Sequence, residues 1–163
     1  MRKMLFQVLA AATVVGLTVT AGAAATSYTS SAKRRAKVVR ISTRKVPKLG
    51  TILVDAKGLT LYMFVPDKRR RVTCVSTCAA VWPPVKLPKH AKPRAAKKVK
   101  QRLLGSDRDP AGGRVVTYRG WPLYTYVSDR KPGQATGQAL DLNGGLWYVL
   151  APSGKVIKKE IAR

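Results

Sequence analysis

The chain has 163 residues, enough for one domain or for two small repeats sharing a core. It carries 32 Lys+Arg against 7 Asp+Glu, a formal net charge of +25, which favours contact with polyanions and opposes close self-association at low salt. Cys74, Cys78 and the single histidine, His90, do not make a four-ligand transition-metal set, and no cofactor is expected.

Residues 1–25 read as a signal peptide. Met1-Arg2-Lys3 is a positive start, an apolar run extends from Met4 to Ala21, and Ala21-Gly22-Ala23 and Ala23-Ala24-Ala25 fit the small-residue cleavage pattern. The alternative is an uncleaved anchor helix, since the run approaches bilayer-spanning length. No cysteine lies near these sites, so no lipid anchor is expected and the product is secreted or extracytoplasmic.

Residues 26–48 then form a basic arm holding Lys33, Arg34, Arg35, Lys37, Arg40, Arg44, Lys45 and Lys48 with no acidic residue. Like-charge repulsion without burial predicts a disordered tail, although Val38, Val39 and Ile41 offer a short strand. Ordered structure is expected from Leu49. Thr51 to Val54 and Leu59 to Val65 are β-prone and flank the turn residues Asp55-Ala56-Lys57-Gly58, which predicts a hairpin. On its second strand Tyr62 and Phe64 share one face, and Leu61, Met63 and Val65 the other. Pro66 ends the strand, and Asp67 is placed to fix the turn through backbone N–H groups.

Cys74 and Cys78, in an exported chain, predict a disulfide, with the two residues on one face of a helical turn that Pro83 stops. The bridge closes a very short loop, so its entropic gain is about 2 kcal/mol, and it would hold Trp82 against the core. Residues 86–103 are a second acid-free basic segment, with Lys97, Lys98, Lys100 and Arg102 at its end. It reads as an exposed linker, helical in part from Pro93 to Leu104. Beyond it Arg114 to Tyr118 and Trp121 to Val127 predict another hairpin, with Pro122 marking an edge strand or the strand's start, and Leu146 to Leu150 and Lys155 to Ile157 predict two further strands.

One stretch occurs twice. Leu61-Tyr62-Met63-Phe64-Val65-Pro66-Asp67-Lys68 returns 62 residues later as Leu123-Tyr124-Thr125-Tyr126-Val127-Ser128-Asp129-Arg130. An internal duplication follows. Its copies are assigned to residues 49–85 and 104–158 of one β-rich domain spanning 49–158. Leu104-Gly105-Ser106 echoes Leu49-Gly50-Thr51, and the longer run to the second motif implies seven extra residues in copy two, around residues 107–113. Trp147 holds the place in copy two that Trp82 holds in copy one. The expected fold is mainly all-β: two hairpin repeats packed as one small sandwich or barrel-like unit, with Trp82, Trp121, Trp147 and Tyr148 as core aromatics.

These residues resemble the bacterial secreted proteins and lipoproteins that carry a Y-x-(F/W/Y)-x-x-D motif, a secreted repeat of unknown function. The matching stretches are the two motifs, Cys74-x-x-x-Cys78-Ala79-x-x-Trp82-Pro83-Pro84, Val116-Thr117-Tyr118-x-Gly120, Lys131-Pro132-Gly133 and Leu146-Trp147-Tyr148-Val149. The resemblance implies a small β-rich envelope domain with no established enzyme activity. The chain departs from it in lacking a lipobox and in its unusually basic arm and linker.

Two site readings compete. Tyr62, Phe64, Asp67, Tyr124, Tyr126 and Asp129 could converge on a pseudo-two-fold axis as an acid/base or cation site, or serve as core aromatics and turn-fixing carboxylates. The second reading is preferred. No catalytic residue is nominated: neither G-x-S-x-G nor H-E-x-x-H is present, and a structural disulfide is preferred to a redox pair. The basic blocks, represented by Lys33, Arg34, Arg35, Lys37, Lys97, Lys98, Lys100 and Arg102, point to anionic cell-wall polymers or a membrane surface as partner. Nothing supports sequence-specific nucleic-acid readout. The alternative function is a redox or small-ligand/metal-binding envelope domain using Cys74/Cys78 or the Tyr/Asp motifs.

Overall fold

The computed structural model describes residues 38–68 and 71–161. The signal segment and the arm residues Lys33, Arg34, Arg35 and Lys37 lie outside them. The fold is mainly β, as the sequence predicts, and is built from three small sheets with no closed barrel.

Order begins earlier than Leu49. β1 (Arg40–Val46) pairs antiparallel with β2 (Gly50–Val54). The disordered tail assigned to residue 48 is therefore corrected. Along β1, Ile41 and Thr43 are buried while Arg40 and Arg44 are exposed, the period-two pattern of a half-buried strand. Cations on the solvent face do not oppose pairing.

The hairpin predicted between β2 and β3 (Tyr62–Phe64) survives only at its root. Gly58 N–H bonds Asp55 O at 3.1 Å and Leu61 N–H bonds Leu53 O at 3.1 Å, after which the chain leaves β2. β3 pairs instead with β9 (Trp147–Leu150) of the second copy, Tyr62 opposite Val149 and Phe64 opposite Trp147. A hairpin returns from β9 to β10 (Val156–Ile157) as predicted.

The second copy makes the reciprocal exchange. Its motif strand lies along the segment after Trp82: Val85 N–H bonds Leu123 O at 2.8 Å and Thr125 N–H bonds Pro83 O at 3.0 Å. The two motif tyrosines meet where the copies cross, with Tyr62 N–H to Tyr124 O at 2.9 Å and Tyr124 N–H to Tyr62 O at 3.0 Å.

The segment assigned as an exposed, partly helical linker is woven into the sheets. β4 (Lys86–Leu87) pairs with β7 (Arg114–Tyr118), and β5 (Arg94–Ala95) runs parallel to β1. Helical geometry there is limited to one 3-10 turn, Gln101–Leu103. Gln101 folds back on Ala95 N–H and Pro93 O, and Lys100 N–H bonds the Tyr118 hydroxyl, so backbone partners outweigh intrinsic helix preference. β6 (Leu104–Arg108), β7 and β8 (Trp121–Pro122) complete the third sheet. Arg119 and Gly120, both at positive φ (50° and 84°), make the tight turn between β7 and β8.

The copies are therefore not as the leucine-glycine echo suggested. Leu61 N–H bonds Leu53 O, and Leu123 N–H bonds Val116 O, which makes β2 and β7 counterparts. β6 then corresponds to β1, and the seven-residue insertion disappears because copy one has its own first strand upstream of Leu49.

Alternation on β3 divides the core into two. Tyr62, Phe64, Tyr124, Trp147 and Val149 join Trp82 and the two cysteines in one cluster. Leu61, Met63, Leu123, Tyr148 and Leu150 join Ile41, Leu53, Val116 and Tyr118 in the other. Val65, assigned to the second face, is instead exposed at the start of a 3-10 turn, Val65–Asp67. Trp121 is half-buried against the second cluster.

Because each motif strand finds its partner in the other copy, neither half contains a complete sheet. Residues 38–85 and 104–161, produced separately, are expected to show no cooperative thermal transition by near-UV circular dichroism, whereas the full chain shows one. A cooperative transition in either half would refute the exchange as the source of stability.

Candidate functional site

The motif side chains do converge, and they do so crosswise. The Tyr62 hydroxyl donates to Asp129 Oδ2 at 2.5 Å, and the Tyr124 hydroxyl donates to Asp67 Oδ2 at 2.7 Å. Each aspartate turns its other oxygen to a threonine in its own loop. Asp67 Oδ1 accepts Thr73 N–H at 2.8 Å and the Thr73 hydroxyl at 2.7 Å; Asp129 Oδ1 accepts Thr136 N–H at 2.9 Å and the Thr136 hydroxyl at 2.6 Å. Both carboxyls are buried, at 0% and 3% exposure, and among the described residues neither forms an ion pair. Burying a charge is costly, and three donors per carboxylate offset that cost.

Burial pushes the Asp67 carboxyl above its ordinary range, with its hydrogen bonds pulling the other way. Both phenols are driven far up, first by burial and then by the neighbouring carboxylate, so they stay protonated at any pH the fold meets. A phenol locked in its neutral form cannot act as a physiological base. Among the described residues no three His, Cys, Asp or Glu side chains cluster for a metal ion.

The motif aromatics build the same crossed arrangement. Phe64 stacks on Trp147 (4.1 Å between centroids), Trp147 on Trp82 (3.9 Å, planes 3° apart) and Trp82 on Tyr126 (4.2 Å). Tyr62 meets Trp82 edge-on and Tyr124 meets Trp147 edge-on. Gly137 lets Trp82 approach: a Cβ there would lie 2.6 Å from the indole ring and 3.0 Å from the Tyr62 ring, and its N–H bonds the Tyr62 hydroxyl. Sequence reasoning missed Thr73, Thr136 and Gly137. Their signal is a threonine six or seven residues after each motif aspartate.

Cys74 and Cys78 form the expected disulfide, Cα atoms 5.2 Å apart. Only Cys78 lies in the helix, α1 (Thr77–Val81); Cys74 precedes it, and Ser76 between them sits at φ 53°. The bridge therefore pins the entry to α1, and Trp82 follows at the helix's end.

Of the nominated polyanion residues, Lys97, Lys98, Lys100 and Arg102 are exposed on the anchored segment after β5. Among the described residues the one ion pair joins Lys86 to the buried Asp109. A groove of about 710 Å³ on the first sheet adds Arg40, Arg44, Lys45 and Lys57 to Lys97. Sequence reasoning places Arg40, Arg44 and Lys45 in the tail and Lys57 in a turn, and so misses them. Their strand alternation was the available signal.

Fold and motif together define a two-copy β domain locked by exchanged Tyr–Asp pairs. Its residues 43–86 and 105–151, more than half of the chain, match the family model for a secreted repeat of unknown function. The chain belongs to that family, which supports an extracytoplasmic location. No curated protein and no solved structure matches it.

Removing either phenol leaves a buried carboxylate short of a donor, so Tyr62→Phe and Tyr124→Phe are each expected to cost about 1–3 kcal/mol in urea unfolding. Their raised pKa values give stability that is fully present below the unfolded tyrosine value near 10 and declines above it. The expected decline is about 1.4 kcal/mol per pH unit for each phenol. The double Phe variant should lose that alkaline slope; an unchanged slope would sink the assignment. Asp67 acts in the opposite range: its contribution is present below its ordinary value of 3.8 and lost as pH rises through its elevated folded value. Replacing both cysteines by serine is expected to cost about 2 kcal/mol.

Proposed function

We propose that this protein is a non-enzymatic secreted domain that docks on anionic envelope material, wall polymer or lipid head groups, through its basic segments. The observation that carries this reading is the division of labour between buried and exposed groups. Tyr62, Tyr124, Asp67 and Asp129 are consumed in internal hydrogen bonds. The lysines and arginines of β1 and the segment after β5 stand exposed, with 32 basic against 7 acidic residues in the chain. Two of those seven acids, Asp67 and Asp129, are buried and form no ion pair among the described residues. Excess charge of this size keeps a protein soluble, but anchoring it on fixed backbone also presents it to a polyanion at low ordering cost.

The disulfide fits this reading as a brace, holding Trp82 in the stacked core. The double serine variant should therefore bind as the parent does wherever it remains folded.

Retention on purified cell wall and on anionic vesicles across a salt series tests the proposal. Binding is expected at low salt, with log K falling by about 0.7–0.9 per phosphate contact for each decade of salt. The wall and vesicle arms separate the two sources. Retention that persists unchanged at high salt, or its absence at low salt, would reject an electrostatic docking role.

A further inference from the structure

The groove on the first sheet is assembled from three separate segments. Arg40, Ser42 and Arg44 come from β1, Lys57 from the turn after β2, and Lys97 from just beyond β5. Like charges gathered this way repel one another, and a bound anion would relieve that repulsion. Among the described residues Asp55 is the one acidic residue in the lining, and its Oδ1 is already taken by the N–H groups of Lys57 (2.9 Å) and Leu59 (2.8 Å). Gly58, at φ 85°, gives the Arg44 guanidinium room: a Cβ there would lie 3.2 Å from Arg44 Nη2.

The duplicated hairpin supplies an internal comparison. Leu53 and Val116 are counterparts, and their ladder partners are Thr43 and Ser106. Asp107 therefore holds the place of Arg44, and Leu103 that of Arg40. The groove of copy two, about 490 Å³, is lined by Leu103, Ser106 and Asp107 together with Arg102 and Arg119. The backbone was duplicated, but the row of cations exists in copy one alone.

We infer that the copy-one groove binds an extended polyol-phosphate chain, successive phosphodiesters lying along β1. This rests on the polyanion-docking reading and names its ligand. Arg40 and Arg44, four residues apart on the strand, are about 13 Å apart, comparable to two repeats of a phosphodiester with a three-carbon spacer. Arg40 and Arg44 can each grip a phosphate with two parallel N–H bonds, and the Ser42 hydroxyl lies between them as a further donor. Val54, Ala56 and Ala96 give the spacer small apolar surface. Among the described residues no aromatic side chain lines the groove, and none offers the stacking platform that single-stranded nucleic acids use.

The test measures binding of poly(glycerol phosphate) and of oligothymidylate of equal charge to the full secreted chain, at low salt and at about 0.15 M salt. Arg40→Ala/Arg44→Ala is expected to weaken poly(glycerol phosphate) binding by about tenfold or more. Lys98→Ala/Lys100→Ala/Arg102→Ala, which removes more charge outside the groove, should weaken it less. Arg40→Lys/Arg44→Lys keeps the charge and should fall between parent and double alanine variant; thermal melts confirm that each variant is folded. Losses that track only the number of charges removed, or oligothymidylate bound as tightly as poly(glycerol phosphate), would overturn the groove while leaving polyanion docking intact. Failure of the parent to bind either polymer at low salt would overturn both.

Discussion

The structure depends on an exchange of one hydrogen bond between two copies of the same motif. A tyrosine hydroxyl in each copy closes on the aspartate of the other, deep enough that water cannot substitute for it. A buried carboxylate without a cation is tolerable only with its lone pairs filled, so each aspartate needs its own loop threonine and the foreign phenol together. This couples loop closure in one copy to strand placement in the other.

The aromatic stack extends the same coupling into the packing. Phe64 lies on the tryptophan of copy two, and Tyr126 on the tryptophan of copy one, with the two indoles face to face between them. Stacked and edge-on aromatic pairs each add about 0.5–1.5 kcal/mol beyond their area burial. The disulfide fixes the entry to the short helix that delivers Trp82, which otherwise has little secondary structure to position it. With the interior committed to holding the copies together, the copies differ outside it. Arg44, exposed, and Asp107, half-buried, are equivalent in the fold and opposite in charge.

Much of this was legible in the residues. The mainly β fold, the duplication, the disulfide and the tight turn at Arg119-Gly120 follow from local chemistry: β-branched and aromatic runs, a two-residue turn, and two cysteines close in sequence. The two-faced burial of β3 follows from its period of two. The pairing of β3 does not, because a strand apolar on both faces accepts any suitable partner, and its partner lies some 85 residues downstream in register with Trp147. The linker departs from its expected form for a related reason. Its composition suits an exposed helix, yet the backbone bonds that hold it come from β1 and from Tyr118, both remote in sequence.

What the sequence determined by itself is the repeating unit: its strands, its turn chemistry, and the Tyr-aromatic-Asp signature as a core-and-turn device. What only the tertiary structure decided is that the signature works in trans, each tyrosine serving the other copy's aspartate, and that Arg40 and Arg44 belong to a folded groove. Identical motifs give no local indication of whether their groups pair within a copy or between copies. That choice is made by which arrangement satisfies both buried carboxylates at once, a condition that exists only when the two copies are packed together.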